Sequence, residues 1–262
     1  MQHALERVGE WRRGWERSGR LLLLLDFDGT LAPIVDRPEL AAIPAATRAA
    51  LERLRARPGV EAAVVSGRGM ADVRERAALG PIAYAGNHGM EIHGAGIDRV
   101  HPEAAAARPL LERASGRIEA GLAGIGGAFL EDKGLTLSIH FRLAPAREAE
   151  VRQVVEDATA GEDALRVTAG KMVLEVRPRV EWDKGKAALF LLDHLRPPPG
   201  APVLYLGDDT TDEDAFRALA GWRPEGEGVL VAPSPPADSA ARSWVRSPEE
   251  VAELFAALAE AP

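Results

Sequence analysis

Two carboxylates, Asp26 and Asp28, follow directly on five consecutive leucines, Leu21 to Leu25, with Phe27 between them and Gly29-Thr30 behind. Side chains alternate along an extended chain, so the two acids point to one side and Phe27 to the other. Acids held that close share a proton or a metal ion, unless one of them merely caps the turn or helix that follows. Other apolar runs also end in polar groups: Ser66 after Val60 to Val65, Asn87 after Pro81 to Ala85, and Asp208-Asp209 after Val203 to Leu206 and Gly207. If these ends converge, three or more carboxylates would repel one another without a cation among them, and an oxygen-only set suits Mg²⁺. Such a centre can accept a phosphate dianion and still use one carboxylate as a nucleophile. Ser66 and nearby backbone N–H groups would hold phosphate oxygens. Lys184 would offset the gathered negative charge; it opens a helix just behind Asp183, where a cation opposes the macrodipole, so a task beyond helix formation is expected, with Lys186 as the fallback. Asp208 is the expected direct metal ligand, with Asp209 and Asp212 one layer further out. Thr211, Asp212, Glu213 and Asp214 are partly accounted for by capping in a helix's first turn. His88, His93 and His140 lack ligand-like spacing, so substrate contact or packing is expected of them.

The elements that must position these groups follow an α/β rhythm. The leucine run suits a central parallel strand buried on both faces, and in open α/β sheets ligands bind at the C-terminal ends of strands. Spacing predicts a helix over residues 3–18 through Leu5, Val8, Trp11 and Trp15, and another from Pro44 to Arg57 closed by Pro58-Gly59. Val60 to Val65 is a buried strand, Ser66-Gly67-Arg68-Gly69 a turn, and Met70 to Leu79 a helix. After the strand Pro81 to Ala85 comes the polar group Gly86-Asn87-His88-Gly89. Past residue 179 the rhythm returns, with a helix through Leu195, strands Val203 to Leu206 and Val229 to Ala232, and a C-terminal helix. The start of that helix reads Ser247 as N-cap, Pro248 at the first position and a capping-box glutamate. The expected fold is a doubly wound parallel-sheet, Rossmann-like core built from residues 1–103 and 179–262.

Residues 104–178 break the rhythm and are expected to form a smaller inserted α+β domain. A helix over Ala104 to Ala123 leads to strands Ala128 to Glu131 and Leu135 to Arg142, turning at Asp132-Lys133-Gly134. A helix from Pro145 to Ala160 and strands Ala164 to Thr168 and Lys171 to Arg177 complete it, the last two joined at Ala169-Gly170. Leu137, Ile139, Phe141, Leu174 and Val176 fall on one face; His140, Arg142, Lys171, Glu175 and Arg177 fall on the other, with Lys133 at a turn. Either this second face is simply wet, or its cations and hydrogen-bonding groups hold a sugar phosphate; the mixture favours the latter.

The chain has 262 residues, 46% of them apolar and 27% charged, enough for one large core or two smaller ones. A net charge of −8 argues against nucleic acid or an anionic membrane as a partner, yet leaves room for an anionic small molecule. There is no cysteine, hence no disulfide, thiolate nucleophile or thiolate metal site. The first twenty residues show no signal-peptide pattern, so a soluble, cytoplasmic protein is expected; a monomer is expected as well.

Taken together, Asp26-Phe27-Asp28-Gly29-Thr30, Ser66-Gly67-Arg68, Lys184-Gly185 and Gly207-Asp208-Asp209 resemble the four motifs of the haloacid dehalogenase superfamily. Within it the chain resembles trehalose-6-phosphate phosphatases, through Gly86-Asn87-His88-Gly89 with Glu91, Ile139-His140-Phe141-Arg142, Gly170-Lys171, Glu175-Val176-Arg177-Pro178 and Asp208 through Phe216. The resemblance implies that Asp26 becomes phosphorylated and ligates Mg²⁺. It implies that Asp28 acts as acid and base while its carbonyl binds the metal, and that Asp208 completes the protein ligands. It makes the insert a cap that closes over a disaccharide. Substrate contacts would come from Gly67, Arg68, Asn87, His88, Glu91, Lys133, His140, Arg142, Lys171, Glu175 and Arg177. Phe141 stands where the family more often has tyrosine. Sucrose 6-phosphate, mannosyl-3-phosphoglycerate and hexose phosphates remain alternative substrates, and a non-catalytic sugar-phosphate-binding module is a third reading.

Overall fold

A computed structural model describes residues 1–260. The strands are β1 (Gln2–His3), β2 (Leu21–Leu25), β3 (Val60–Val65), β4 (Ala83–Gly86), β5 (Glu91–Gly94), β6 (Ile97–Val100), β7 (Phe129–Asp132), β8 (Leu137–His140), β9 (Leu165–Gly170), β10 (Val173–Pro178), β11 (Val203–Gly207), β12 (Gly226–Val231) and β13 (Ser243–Val245). The helices are α1 (Ala4–Ser18), α2 (Ala45–Arg55), α3 (Met70–Ala77), α4 (Pro102–Ala106), α5 (Arg108–Leu122), α6 (Glu148–Thr159), α7 (Lys184–Leu195), α8 (Asp212–Trp222) and α9 (Pro248–Ala259). The chain divides into two compact units: residues 1–67, 71–98 and 182–262 form the first, and residues 68–70 and 99–181 the second.

The larger sheet runs β1-β13-β12-β11-β2-β3-β4-β5-β6. Its strands pair in parallel from β1 to β4, and β5 then turns back antiparallel on β4. Every leucine of β2 is buried, as a strand covered on both faces requires. Leu22 and Leu24 join Ala188, Leu191, Phe216 and Leu219 of α7 and α8 in one core cluster. Chain direction fixes where chemistry can occur: β2 leads on to β3 and β4 on one side, while β11 lies on the other. The crevice between β2 and β11 is therefore a topological switch point. The polar residues after β11, β2, β3 and β4 stand in a row along one edge.

In the second unit a sheet ordered β7-β8-β10-β9 is antiparallel throughout. Leu137, Ile139, Leu174 and Val176 pack with Leu111, Ile118, Val151 and Val155 of α5 and α6. The expected alternation thus holds, with one face greasy and the other polar.

Several expected boundaries moved for identifiable reasons. The helix expected over Ala104 to Ala123 is two helices, because Pro109 has no N–H for the preceding turn and α4 ends before it. The hairpin β5-β6 was not expected; Gly94, Ala95 and Gly96, all at positive φ, make its turn. α3 stops at Ala77, where Ala78 takes φ 45°. Lys171 is not on a strand: Gly170 pairs with Val173, leaving Lys171-Met172 as the turn and Lys171 exposed at its tip. In α1 the inward residues are Ala4, Val8, Trp11 and Gly14, so Leu5 and Trp15 lie off the buried stripe. At α9, Ser247 is the N-cap without a side-chain cap bond, and the Glu250 carboxylate accepts instead from the Arg246 N–H at 2.7 Å.

Candidate active site

The site grows from the edge of the larger sheet. β2 ends at Leu25, and the Asp26 N–H still donates to the Leu206 carbonyl of β11 at 2.9 Å, which fixes the first acid beside the end of the neighbouring strand. The chain then turns tightly: the Leu31 and Ala32 N–H groups donate to the Phe27 carbonyl at 3.0 and 2.8 Å, and that of Gly29 to the Ala32 carbonyl at 2.7 Å. Gly29 takes φ 77°, and a Cβ there would collide with the Asp208 carboxylate, so only glycine lets the two strand ends approach.

Asp26, Asp208 and Asp212 each place a carboxylate oxygen within 4.8 Å of the others. Lys184, the first residue of α7 and only 3% exposed, reaches into this group. Its Nζ donates to Asp26 Oδ1 at 2.8 Å and to Asp212 Oδ1 at 2.7 Å. Asp183 caps α7 by accepting from the Lys186 N–H at 2.8 Å, so the lysine that opens the helix is held in place by its predecessor. Lys186 stays at the surface, 3.8 Å from Asp183, so Lys184 is the lysine of the cluster.

Asp209 and Asp212 hold the elements around the cluster together. Asp212 is fully buried: Oδ1 also accepts from the Tyr205 hydroxyl at 2.8 Å, and Oδ2 accepts from the Asp208 and Asp209 N–H groups, both at 3.1 Å. It therefore ties Lys184, β11 and the turn after β11 together. Asp209 Oδ1 accepts from the Thr211 N–H at 2.8 Å, from its hydroxyl at 2.7 Å and from the Asp212 N–H at 3.3 Å, a cap on the entry to α8. Tyr205 itself was missed. The available signal was a lone tyrosine in the buried strand Val203–Gly207, whose hydroxyl must find a partner there.

The electrostatics follow from burial. Asp26 is pushed well above the ordinary carboxylate range chiefly by burial; Lys184 opposes this, while Asp212 and Asp208 add to it. Asp208 is raised to about 8, by burial first and then by Asp212 and Asp209. Burial raises Asp212 as well, against the pull of Lys184. Asp209 moves down: burial would raise it, but Lys184 and the Thr211 hydrogen bonds win. Burial likewise works to lower Lys184, yet Asp212 and Asp26 hold it well above the usual lysine value. Asp26 and Asp208 are thus carboxylates driven toward neutrality by dehydration and mutual repulsion. An oxygen-seeking divalent cation fits that donor set and would restore their charge.

Beside Asp26 along the edge, the Ser66 N–H donates to the Ala85 carbonyl at 2.8 Å, and the His88 N–H donates to the Ser66 carbonyl at 2.9 Å. Asn87 and His88 both take left-handed backbone angles, φ 49° and 57°, strain that clusters at functional sites. Asn87 Nδ2 donates to Glu91 Oε1 at 2.6 Å. The His88 ring lies where a Cβ on Gly67 would fall, 2.7 Å from its Cε1, so Gly67 and His88 are close neighbours. Asp28, Ser66, Gly67, Asn87, His88 and Glu91 therefore share the strand-end edge with Asp26.

The polar face of the second unit carries the other expected residues. Glu175 is its hub: Oε1 accepts from Lys133 Nζ and from the Ser138 hydroxyl, both at 3.3 Å, and Oε2 lies 3.9 Å from the Arg177 guanidinium. His140 Nε2 bonds Glu131 Oε2 at 2.8 Å. Glu131, absent from the expected set, is held below its ordinary value: burial acts upward, but His140, Lys133 and Arg68 outweigh it. Arg142 donates to the Lys171 carbonyl at 3.3 Å beside the β9-β10 turn, away from this hub.

A profile of the trehalose-phosphatase family matches residues 24–243. This chain belongs to the trehalose-phosphatase family. A relative described as a trehalose-phosphate phosphatase, from Mycobacterium marinum, is 42% identical over 246 residues. The match covers 92% of this chain and 62% of that relative, so the chain spans about three fifths of its relative's length. Among solved structures, the C-terminal domain of Candida albicans trehalose-6-phosphate phosphatase superposes with a TM-score of 0.80 at 26% identity, covering 96% of each chain. A haloacid dehalogenase-like hydrolase from Bacteroides thetaiotaomicron shares the fold at TM-score 0.62 and 16% identity, over 90% of this chain and 98% of that one. The family match takes in the strand-end acids, Lys184 and the polar sheet face alike. Among the described residues no helix is long and apolar enough to cross a membrane.

Proposed function

We propose that this chain is a Mg²⁺-dependent phosphatase that hydrolyses trehalose 6-phosphate to trehalose and phosphate through a phosphorylated Asp26. The observation that carries the proposal is the buried pairing of Asp26 with Lys184 beside Asp208, at the switch point of the sheet. Family membership and the 42% identical relative support the choice of substrate.

Asp26 and Asp208, with the backbone carbonyl of Asp28, would hold the Mg²⁺, which when bound would neutralise the acids and the phosphate oxygens. Lys184 opposes the protonation that burial favours at Asp26 and holds its carboxylate in place. An Asp26 oxygen attacks phosphorus, the bond from phosphorus to the sugar oxygen breaks, and Asp28 gives that oxygen a proton. Asp28 then takes a proton from water as the water attacks the aspartyl phosphate, which releases phosphate and frees Asp26. The Ser66 hydroxyl and neighbouring backbone N–H groups hold the phosphate oxygens. Residues 104–178 act as the cap, and the polar face around Glu175, Lys133 and Arg177 binds the sugar hydroxyls. Phosphate release with Mg²⁺ from trehalose, sucrose, glucose and mannosyl-glycerate phosphates tests this reading. Trehalose 6-phosphate should give the highest kcat/KM; preference for another ester overturns the substrate, and no release from any of them overturns the function.

A further inference from the structure

The polar sheet face of the second unit contains one aromatic ring that hydrogen-bonding chemistry does not account for. Phe129 pairs across the sheet with His140, and Glu131 with Ser138, which in turn faces Glu175. Opposed residues in an antiparallel sheet project to the same side, so Phe129 shares the face of Glu131, Ser138, His140 and Glu175. It does not belong to the greasy face, where its neighbour Leu130 packs against the core. Phe129 is 39% exposed, yet it is fixed: its ring stacks on the imidazole of His140 with centroids 4.8 Å apart and an interplanar angle of 20°. The His140 ring is held in turn by Glu131, whose Oε2 bonds Nε2 at 2.8 Å. The result is a preformed aromatic surface at the edge strand, beside acids and cations that bond hydroxyls.

A pyranose presents both chemistries: equatorial hydroxyls around its rim, and patches of C–H bonds above and below the ring. Aromatic surface bordered by a few placed polar groups is how proteins orient such ligands. Two strand spacings, about 10 Å, separate the backbones of β7 and β10, so Phe129 and the Glu175 group offer two neighbouring places along this face, room for a ligand of more than one ring. We propose that Phe129, held by its stack on His140, is a specificity-determining residue that packs on the apolar face of one sugar ring while the Glu175 group binds the other. This rests on the sugar-phosphatase function proposed above and adds to it a residue that selects for a second sugar ring.

The test compares wild type, Phe129→Ala and Phe129→Trp on trehalose 6-phosphate, glucose 6-phosphate and p-nitrophenyl phosphate, with thermal melting recorded for each protein. Phe129→Ala should raise KM for trehalose 6-phosphate about tenfold, with kcat nearly unchanged. It should alter glucose 6-phosphate hydrolysis less than threefold and leave p-nitrophenyl phosphate hydrolysis as it was. Phe129→Trp, which keeps an aromatic face, should restore most of the loss. Equal KM in Phe129→Ala and wild type overturns the assignment, as does a parallel loss on all three esters, which would mark a structural role. If wild type turns over only p-nitrophenyl phosphate, the sugar-phosphatase function fails and the assignment with it. If wild type turns over trehalose 6-phosphate and only the selectivity is missing, the assignment alone fails.

Discussion

Lys184 Nζ sits 2.8 Å from Asp26 Oδ1, with both side chains almost wholly buried and Asp212 completing the lysine's ion pairs at 2.7 Å. A lone charge of either sign in that place would be costly, so the pair is interdependent. Replacing Lys184 with Met should lower stability by about 3–5 kcal/mol, because it leaves buried acids without their cation. Chemical denaturation measures this. Lys184→Arg should lose less stability but still lose most activity, because a wider guanidinium cannot occupy the same point between two oxygens.

Tyr205 reaches the site through its hydrogen bond to Asp212. Tyr205→Phe should cost about 1.5–3 kcal/mol, the range for a hydrogen bond to a charged group, and should lower kcat more than it raises KM. Equal stability of the two proteins in urea would mean that Asp212 does not depend on the hydroxyl.

Gly29 is the point where two strand ends touch. Gly29→Ala would place a methyl on the Asp208 carboxylate at a backbone angle of φ 77°, displacing a proposed metal ligand. Titration calorimetry should show Mg²⁺ affinity at least tenfold weaker, and added Mg²⁺ should recover part of the activity. Unchanged affinity would remove Asp208 from the metal site.

The crowded acids also set a pH dependence. Asp208 titrates at about 8 in the folded chain against an ordinary 3.8, and Asp26 and Asp212 shift the same way. An acid with a raised folded value is neutral at no penalty below its unfolded pKa, and stability is lost as pH climbs from there to the folded value. Metal-stripped protein should therefore melt at progressively lower temperature between pH 5 and pH 8. The gain in Tm on adding Mg²⁺ should be larger at pH 8 than at pH 5. A Tm gain independent of pH would show that the cation does not bind among these acids.

Much of this architecture was legible because it is periodic. Leu21 to Leu25 suit a doubly covered strand, and the alternation of Leu137, Ile139, Leu174 and Val176 puts them on one face, as found. Motif spacing likewise brought Asp26, Lys184 and Asp208 together before any geometry was known. What stayed hidden depends on contacts between distant segments. Tyr205 looks like core filling until Asp212 folds back beneath it, and Asp209 and Asp212 look alike until one caps α8 and the other binds Lys184. Glu131 and Phe129 join the polar face only through the pairing of β7 with β8. Lys171 left its strand because a two-residue turn, with Met172 at φ 63°, closes two residues later than Ala169-Gly170 implied.

The central claim is that a covalent phosphoryl group forms on Asp26. Quenching the enzyme with borohydride during steady-state turnover of trehalose 6-phosphate reduces any acyl phosphate to the alcohol, which peptide mass spectrometry locates. Homoserine should appear at position 26 and nowhere else, and only when substrate and Mg²⁺ are both supplied. Turnover without reduction at position 26, or reduction at Asp28 or Asp208 instead, would contradict it.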